Sequence, residues 1–216
     1  GLLLPLIRYY KPDIKEYVGV DISPANIREQ LRRSGVKKID SAEKYYPFKL
    51  THVLGSVEDM DKELKKDSFD FIVYTSAVEH MQKEVGRKSL ENCFKLLKPG
   101  REMFLSCPNT MDKKDPYDTQ YAAHVYEWGL DELRETVQEI GFTIEEEYGL
   151  VAKVRDFEKW LEKKPVIKEQ YRALKKYMPS AWLMAFMPIL YPEAAAEVLL
   201  ICSKGRKSRP GFDLFM

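Results

Sequence analysis

The adjacent residues Glu79 and His80 carry the side chains in this sequence that are best suited to acid–base chemistry. They follow the apolar run at 69–74 (FDFIVY), which is rich in aromatic and β-branched residues and is predicted to be a buried strand. Ligands of open parallel sheets bind at the carboxyl ends of the strands, so the pair is expected to face a ligand. A histidine titrates near neutrality and suits a general base, whereas a Glu-His pair can also ligate a metal.

Asp21 ends a second short apolar run at 17–21 (YVGVD), and Ser23 then begins a predicted helix. One ionised carboxylate has two acceptor oxygens and can bind both hydroxyls of a ribose. In dinucleotide-binding folds such an acid lies about 20 residues after a glycine-rich loop, and Gly1 stands at that distance. We therefore predict that Gly1 is the last glycine of such a loop, whose preceding strand lies outside this sequence. The alternative is that Gly1 is an arbitrary terminus.

The rest of the chain alternates between strand-like apolar runs and amphipathic helices. Strands are predicted at 17–21, 51–54, 69–74, 102–107, 142–148 and 197–203, and helices at 23–33, 84–97 and 130–140. This alternation predicts an α/β fold, with a doubly wound, mostly parallel sheet and helices on both faces. We expect one domain over residues 1–216, with a helical insertion at 151–192 before the last strand.

The composition narrows the class of protein. The 35 basic and 34 acidic residues leave a net charge of +1, which gives no overall electrostatic footprint for nucleic acid. There are three cysteines without metal-binding spacing, and Cys107 and Cys202 lie inside apolar runs, which is typical of core residues in a reducing compartment. No apolar run approaches the roughly 20 residues that span a bilayer. The sequence therefore predicts a cytoplasmic protein without a membrane partner.

Four segments form an ordered set along the chain: YVGVDIS at 17–23, LGSVEDM at 54–60, FDFIVYTSAVEHM at 69–81 and LKPGREMFLSCPN at 97–109. Together they resemble successive motifs of the class I S-adenosylmethionine (SAM)-dependent methyltransferases, in the order and spacing of that family. The resemblance covers about residues 1–150 and the last strand. It implies a Rossmann-like, seven-stranded sheet whose final strand is antiparallel, and it implies SAM as the cofactor.

The resemblance implies cofactor-binding roles at the ends of the strands predicted at 17–21 and 51–54. Asp21 is implied to bind the ribose hydroxyls of SAM, and Ile22 to pack on the adenine. Ser56 stands where relatives often carry an aspartate that faces the adenine amino group. The Ser56 hydroxyl and the backbone of Val57 are implied to contact that group, and Gly1 would belong to the same cofactor-binding set.

Two further groups of residues are placed by the resemblance. Thr75 and Ser76, which follow the third strand-like run, are implied to line the methionine end of the cofactor. An aromatic cluster lies where methyl acceptors are expected to bind: Tyr117, Tyr121 and Tyr126. These rings can contact a planar acceptor or simply cover the core, and both alternatives remain open.

Glu79 and His80 are similar to the end of the E-x-x-E-H motif of ubiquinone-pathway O-methyltransferases and small-RNA 2′-O-methyltransferases, with Ser76 in place of the first glutamate. The segment HVYEW, which begins at His124, is also similar to a histidine segment that supplies a metal ligand in the small-RNA enzymes. Glu79, His80 and His124 are therefore implied to be the catalytic residues, as acid–base groups or as three metal ligands. Many relatives with Glu-His at this place use no metal, so a metal-free site is expected.

The insertion at 151–192 combines helical character with many aromatic and methionine side chains. Its apolar part at 180–190 is predicted to form a lid over the substrate or the face of a homodimer, and a packed helical cover is the alternative. Contact with a membrane is disfavoured, because Lys and Arg do not form an orderly polar face along this part.

The leading prediction is a SAM-dependent methyltransferase that methylates an oxygen or nitrogen atom of a small-molecule acceptor. SAM already carries the activated methyl group, so the protein mainly has to align the acceptor and exclude water. Two alternatives remain. One is a metal-assisted RNA 2′-O-methyltransferase, against which the near-neutral charge and Ser76 argue. The other is a non-catalytic subunit of the same fold that binds a partner through the insertion.

Overall fold

The computed structural model describes residues 13–33, 48–110, 115–119 and 121–205. The prediction for Gly1 lies outside these residues. The chain forms two compact units, Gly1–Lys65 and Lys66–Met216.

The described residues of the first unit form two parallel strands and two helices. Its elements are β1 (Glu16–Asp21), α1 (Pro24–Arg33), β2 (Lys49–Leu54) and α2 (Met60–Glu63). Ile27 and Leu31, one turn apart on α1, pack with Phe48 into a small buried cluster. Asp21 pairs with Leu54 at the last position of the β1–β2 ladder, so the two strands end together.

The second unit contains four strands and five helices among the described residues. Its elements are β3 (Phe69–Thr75), α3 (Lys83–Leu96), β4 (Leu97–Pro108), α4 (Leu130–Ile140), β5 (Phe142–Val151), α5 (Val154–Leu161), α6 (Pro165–Lys175), α7 (Ser180–Leu190) and β6 (Glu197–Lys204). The strands form one sheet in the order β3–β4–β6–β5. β3 and β4 are parallel, and β6 runs antiparallel to both β4 and β5.

This architecture confirms the predicted α/β fold, with mostly parallel strands and an antiparallel last strand. Because β6 is reversed, it begins at the edge where β4 ends, and Glu197 pairs with Pro108. Among the described strands, β1 is hydrogen-bonded to β2 alone and β3 to β4 alone. The seventh strand of the expected sheet is not among these six and stays a prediction.

The junction between α3 and β4 differs from the sequence prediction, which ends the helix at 97 and begins the strand at 102. In the structure α3 ends at Leu96 and β4 begins directly at Leu97. The Lys-Pro-Gly turn signal instead produces an irregularity inside the strand, where the register with β3 shifts and Gly100 has a φ of 73°. Gly100 adopts this conformation without a steric penalty, and Pro99 has no N–H to contribute to a ladder.

Three helices, α5 to α7, follow β5 in the segment that is predicted to be a helical insertion. Residues in and beside these helices share one buried cluster: Ala152, Phe157, Leu161, Tyr171, Leu183, Met184, Met187 and Ala194. The other face of α7 is open, and it exposes Trp182 and Phe186. Self-association through that face stays a prediction. No described helix is long and apolar enough to span a bilayer.

The three cysteines, Cys93, Cys107 and Cys202, are free thiols and all are buried. Burial raises the pKa of Cys93 and of Cys202 to about 12, because the thiolate would lose its hydration. The structure therefore confirms the prediction that the cysteines are small residues of the core.

Gly149 on β5 determines how closely α7 packs on the sheet. A Cβ at this position would lie 2.4 Å from the carbonyl oxygen of Pro188 and 2.7 Å from the Cβ of Ala195. Both distances are shorter than any normal contact, and these neighbours are a backbone atom and a short side chain that cannot swing away. The position therefore requires glycine for space rather than for its backbone freedom.

Gly149→Ala is expected to destabilise the protein by about 1–3 kcal/mol, the usual cost of overpacking. Gly55→Ala is the matched control, because a Cβ on Gly55 meets none of the described atoms within 4 Å. Urea unfolding of both variants beside the wild type measures the difference. Equal stability of all three proteins would mean that α7 does not pack on β5 in this way.

Candidate functional site

β3 ends in a strained turn that carries the candidate catalytic pair. Ser76 follows the exposed Thr75 with a φ of 48°, in the left-handed region that residues with a Cβ rarely adopt. The Ser76 N–H donates to the carbonyl oxygen of Ser106 on β4 at 2.9 Å, and a 3-10 turn over Val78–His80 comes next. Such conformations cluster at functional sites, where the surrounding structure holds them in place.

Glu79 is almost completely buried in this turn, with 1% of its surface exposed. Its carbonyl oxygen accepts the N–H groups of Val125 and Tyr126 at 2.8 and 3.2 Å, which joins the turn to the segment that carries His124. The side-chain atom Oε2 is buried without a hydrogen-bond partner in the described structure. Burial raises the pKa of Glu79, because desolvation penalises the charged form.

His80 and His124 both present Nε2 as a hydrogen-bond acceptor. The Nδ1 of His80 lies 2.7 Å from the carbonyl oxygen of Ala123, and a carbonyl only accepts, so Nδ1 carries the hydrogen. The Nδ1 of His124 lies 3.0 Å from Oε1 of Glu127 and donates to it in the same way. These hydrogen bonds assign the tautomer, and in each neutral ring they leave a lone pair on Nε2.

Glu79, His80 and His124 form one group, the acceptor cluster. One ligand atom from each residue lies within 4.8 Å of the others, and the two imidazole centroids are 5.2 Å apart. Oε1 of Glu79 is 3.9 Å from Nε2 of His80. The structure thus brings together the three residues that are predicted to be catalytic, although they come from two distant parts of the chain. Their lone pairs can accept protons from a substrate or hold a metal ion.

The acceptor cluster lines a cavity of about 930 Å³ in the second unit. The insertion supplies part of the lining through Lys153, Asp156, Lys159 and Trp160. None of the described lining residues comes from 180–190, the part that is predicted to be a lid, so the lid stays a prediction. The volume lies within the range of small-molecule sites.

Glu197, the first residue of β6, is a site residue that the sequence analysis misses. Its carboxylate accepts hydrogen bonds from the hydroxyls of Ser76 at 3.2 Å and Ser106 at 3.0 Å, and it lines the same cavity. A signal for it exists in the sequence, because an antiparallel last strand must begin at the edge where the parallel strands end. An acid at the start of that strand is therefore expected to face the ligand.

The three tyrosines that are predicted to bind the acceptor have different environments in the structure. Tyr121 lines the cavity, whereas neither of the other two is among the described lining residues. Tyr117 is half exposed, with its ring 5.0 Å from that of Tyr126. Tyr126 is buried, its hydroxyl donates to Glu132 at 2.6 Å, and burial raises its pKa to about 12. Tyr126 therefore packs as part of the core, the alternative that the sequence leaves open.

In the first unit, Asp21 ends β1 with its carboxylate at the start of α1. Oδ1 accepts the N–H of Ser23 at 2.7 Å, and the side-chain amide of Asn26 lies 3.3 Å from both oxygens. A carboxylate has more acceptor positions than these two donors occupy. The neighbouring Ile22 is 74% exposed. The carboxylate of Asp21 can therefore accept hydrogen bonds from the hydroxyls of a ribose, and the exposed side chain of Ile22 can pack against the attached base.

Ser56 and Val57 follow β2, at the same end of the two-stranded sheet as Asp21. The N–H of Gly55 donates to the carbonyl oxygen of Asp21 at 3.1 Å, which ties the two strand ends together. The Ser56 hydroxyl accepts the N–H of Glu58 at 3.3 Å. A hydroxyl has one hydrogen and two lone pairs, so Ser56 can still donate to a ligand.

The sequence of residues 1–147 matches a family model described as a methyltransferase domain, which covers more than half of the chain. The chain belongs to this methyltransferase family. No curated protein matches its sequence.

The fold of this methyltransferase is similar to that of several solved structures. A SAM-dependent methyltransferase from Archaeoglobus fulgidus is 15% identical, with 94% of this chain and 93% of that chain covered and a TM-score of 0.53. The cyclase SpnF is 13% identical, with 96% and 73% covered and a TM-score of 0.59. The small-RNA methyltransferase HEN1 is 18% identical, with 97% and 22% covered and a TM-score of 0.62. At these identities the likeness establishes the fold alone, and the three proteins are named for different activities.

Membership of this methyltransferase family gives SAM as the cofactor. The residues of the first unit fit it, because Asp21 offers acceptor positions for ribose hydroxyls and Ile22 offers exposed apolar surface for a base. When bound, SAM supplies a methyl group that is already activated on a sulfonium.

Glu79→Gln is expected to change how the stability of the methyltransferase depends on pH. The pKa of Glu79 is raised in the folded state, so the ionised form costs stability. That cost is absent below the unfolded-state pKa, near 4.5, and it develops as the pH rises through the folded-state pKa. Glutamine does not ionise, so the Tm of the variant relative to wild type should rise between pH 4 and pH 8.

Thermal melts across this pH range measure the effect. Glu193→Gln is the control, because Glu193 lines the same cavity but is exposed. Its Tm difference from wild type should stay flat across the range. A flat difference for Glu79→Gln as well would contradict the cost of burying an ionised Glu79.

Proposed function

We propose that this methyltransferase transfers a methyl group from SAM to an oxygen or nitrogen atom of a small-molecule acceptor. The observation that carries the proposal is the acceptor cluster inside a cavity of about 930 Å³. Pockets of this size accommodate small molecules. Two of its members, Glu79 and His80, follow β3 at its carboxyl end, where ligands of α/β sheets bind.

His80 is proposed to be the general base. Its Nε2 carries a lone pair because Nδ1 donates to Ala123, and its side chain is partly exposed, so a proton can pass on to solvent. Glu79 and His124 are proposed to orient the acceptor through their own lone pairs. A base is needed only for an acceptor that carries a proton, and alignment of the reactants supplies much of the remaining rate enhancement.

The residues proposed to bind SAM are those implied by the sequence motifs: Gly1, Asp21, Ile22, Ser56, Val57, Thr75 and Ser76. Support comes from the unused acceptor positions of Asp21 and from the exposure of Ile22. Tyr121 is proposed to contact the acceptor, because it lines the cavity with the acceptor cluster.

Asp21→Asn tests the proposed ribose contact. Asparagine keeps an oxygen that can accept the N–H of Ser23, so the start of α1 is preserved, but it loses the charge and one acceptor. Hydrogen bonds to a charged group contribute about 1.5–3 kcal/mol, so the Kd for SAM should rise by about 10- to 150-fold. Isothermal calorimetry with the full-length protein measures it.

Ser23→Ala is the matched control, because it removes a hydroxyl that accepts the N–H of Asn26 at the same helix start and leaves the carboxylate in place. Its Kd for SAM should stay close to that of wild type. Unchanged affinity in Asp21→Asn would refute the role of Asp21.

The proposed function is tested by following a methyl label from SAM into a panel of alcohols, phenols and amines. Label in a small molecule that is lost in His80→Ala is the expected result. A full-length protein that does not bind SAM, or that labels none of the three classes, would refute the proposal.

A metal-assisted RNA 2′-O-methyltransferase is the second candidate function. The observation that favours it is the approach of Glu79, His80 and His124, whose ligand atoms lie within 4.8 Å of one another. Glu197 adds a carboxylate beside Ser76, the residue that stands in place of an acid in the small-RNA motif. The net charge of +1 argues against general affinity for RNA, which is largely electrostatic.

Removal of metal separates the two candidates. The small-molecule proposal without a metal expects methyl transfer to continue unchanged after chelation with EDTA and dialysis. Loss of activity that one divalent ion restores, with label transferred to a 2′-hydroxyl of RNA, would establish the second candidate instead. Elemental analysis of the untreated protein measures the bound ion directly.

A further inference from the structure

We propose that the methyl acceptor is an amine, which the acceptor cluster binds as an ammonium ion. The inference rests on the proposed function and deepens it, because it names nitrogen as the methylated atom. The hydrogen-bonding capacity and the charge of the cluster support it, and the spacing accommodates it.

With both imidazole rings neutral and Glu79 ionised, each member of the acceptor cluster offers a lone pair and no hydrogen. The Nδ1 of His80 donates to Ala123 and the Nδ1 of His124 donates to Glu127, so both rings are left with Nε2 as an acceptor. Oε2 of Glu79 is buried and has no partner within the described part of the chain. A ligand must therefore bring hydrogens or positive charge. A primary ammonium brings three N–H groups, whereas an alcohol brings one O–H.

The spacing of the cluster accommodates three hydrogen bonds from one nitrogen. A tetrahedral ammonium with N–H···acceptor distances of about 2.8–2.9 Å places its acceptors roughly 4.6–4.7 Å apart. The ligand atoms of the cluster lie within 4.8 Å of one another, and Oε1 of Glu79 is 3.9 Å from Nε2 of His80. A tetrahedral zinc ion with ligands at about 2.0–2.1 Å requires separations near 3.4 Å. The limit of 4.8 Å leaves room for an ammonium, and the separation of 3.9 Å lies between the values for an ammonium and for a zinc ion, so the spacing accommodates an ammonium without excluding a metal.

The charge beside the cluster also favours a cation. Glu197 lines the same cavity as Glu79, and it is fixed there by the hydroxyls of Ser76 and Ser106. Two neighbouring carboxylates repel each other, and a bound ammonium relieves that repulsion. The lysines of the lining come from the insertion and its flanks rather than from the ends of β3 and β4: Lys153, Lys159 and Lys163.

The reaction then needs one proton transfer and one displacement. The ammonium gives a proton to Nε2 of His80, whose side chain is 43% exposed and can release the proton to solvent. The lone pair left on nitrogen forms the N–CH3 bond, while the S–CH3 bond of SAM breaks and its electron pair stays on sulfur. S-adenosylhomocysteine and a methylammonium are the products. Each methylation removes one N–H group, so primary amines should be better acceptors than secondary amines.

Three probes with the same ring test the assignment: benzylammonium, benzyl alcohol and benzyltrimethylammonium. Benzylammonium offers the cluster a positive charge and three N–H groups, and benzyl alcohol offers one O–H group without charge. Benzyltrimethylammonium offers a positive charge but no N–H group. Histidine 15N resonances of the full-length protein at pH 8 report binding at Nε2 of His80 and His124. The third histidine, His52 in the first unit, is an internal control.

Benzylammonium is expected to shift both Nε2 resonances at a concentration at least about 10-fold lower than the other two probes, since hydrogen bonds with a charged partner contribute that much affinity. Equal shifts with all three probes would overturn the proposal. The absence of any shift with benzylammonium would overturn it as well.

Two glutamate variants separate the cluster from the rest of the cavity. Glu79→Gln replaces a charged acceptor by an amide that carries N–H groups, so it should weaken benzylammonium binding by about 10-fold or more. Glu193→Gln makes the same change at an exposed acid of the same lining and should alter binding by less than about 2-fold. Far-UV circular dichroism checks that both variants fold. Equal effects of the two variants would overturn the proposal.

The amine assignment and the proposed function fail in different ways. A protein that binds SAM and methylates alcohols but no amine would refute the amine assignment alone. A protein that does not bind SAM but shows the benzylammonium shifts would refute the proposed function and leave an ammonium-binding site without methyl transfer. Displacement of benzylammonium from both Nε2 atoms by one equivalent of Zn²⁺, with activity that requires the metal, would replace the amine by a metal site.

Discussion

The hydrogen bonds from the N–H groups of Val125 and Tyr126 to the carbonyl oxygen of Glu79 hold the candidate site together. They join the turn after β3 to a segment that comes much later in the chain. His80 directly follows the accepting residue and His124 directly precedes the donating ones, so one junction places both imidazoles. Without these hydrogen bonds, nothing in the described backbone would hold His124 beside Glu79 and His80.

This junction lies in a turn that is unfavourable by local criteria. A buried carboxylate with an unpaired oxygen and a serine with a positive φ both cost free energy, and they lie three residues apart at Glu79 and Ser76. The surrounding contacts offset that cost. Ser76 is held on one side by the carbonyl of Ser106 and on the other by Glu197, and Val78 between the two strained residues is completely buried. Local conflict inside a well-packed frame is typical of functional sites.

The sequence predicts those parts of the molecule whose causes are local. Runs of β-branched and aromatic residues specify the strands, and the rule that ligands bind at strand ends leads to Glu79 and His80. Prediction from the sequence fails where the cause is a contact between elements that are distant along the chain. The buried hydroxyl of Tyr126 needs its hydrogen bond to Glu132, and Gly149 has no room for a Cβ because Pro188 of α7 packs against it. Glu197 is missed because its place depends on the direction of β6 rather than on its neighbours in sequence.

The reversal of β6 has a further consequence for how acceptor preference is encoded. The insertion that contributes one wall of the cavity runs directly into the strand that begins with Glu197, so wall and carboxylate belong to one continuous stretch of chain. The motifs assigned to the cofactor all lie earlier, before residue 110. Recombination that exchanges this stretch alone would move that wall and Glu197 as a single module and leave both the cofactor motifs and the acceptor cluster untouched. The shape of the acceptor can therefore change among descendants of one ancestral domain without a change in the methyl donor or in the group that is methylated.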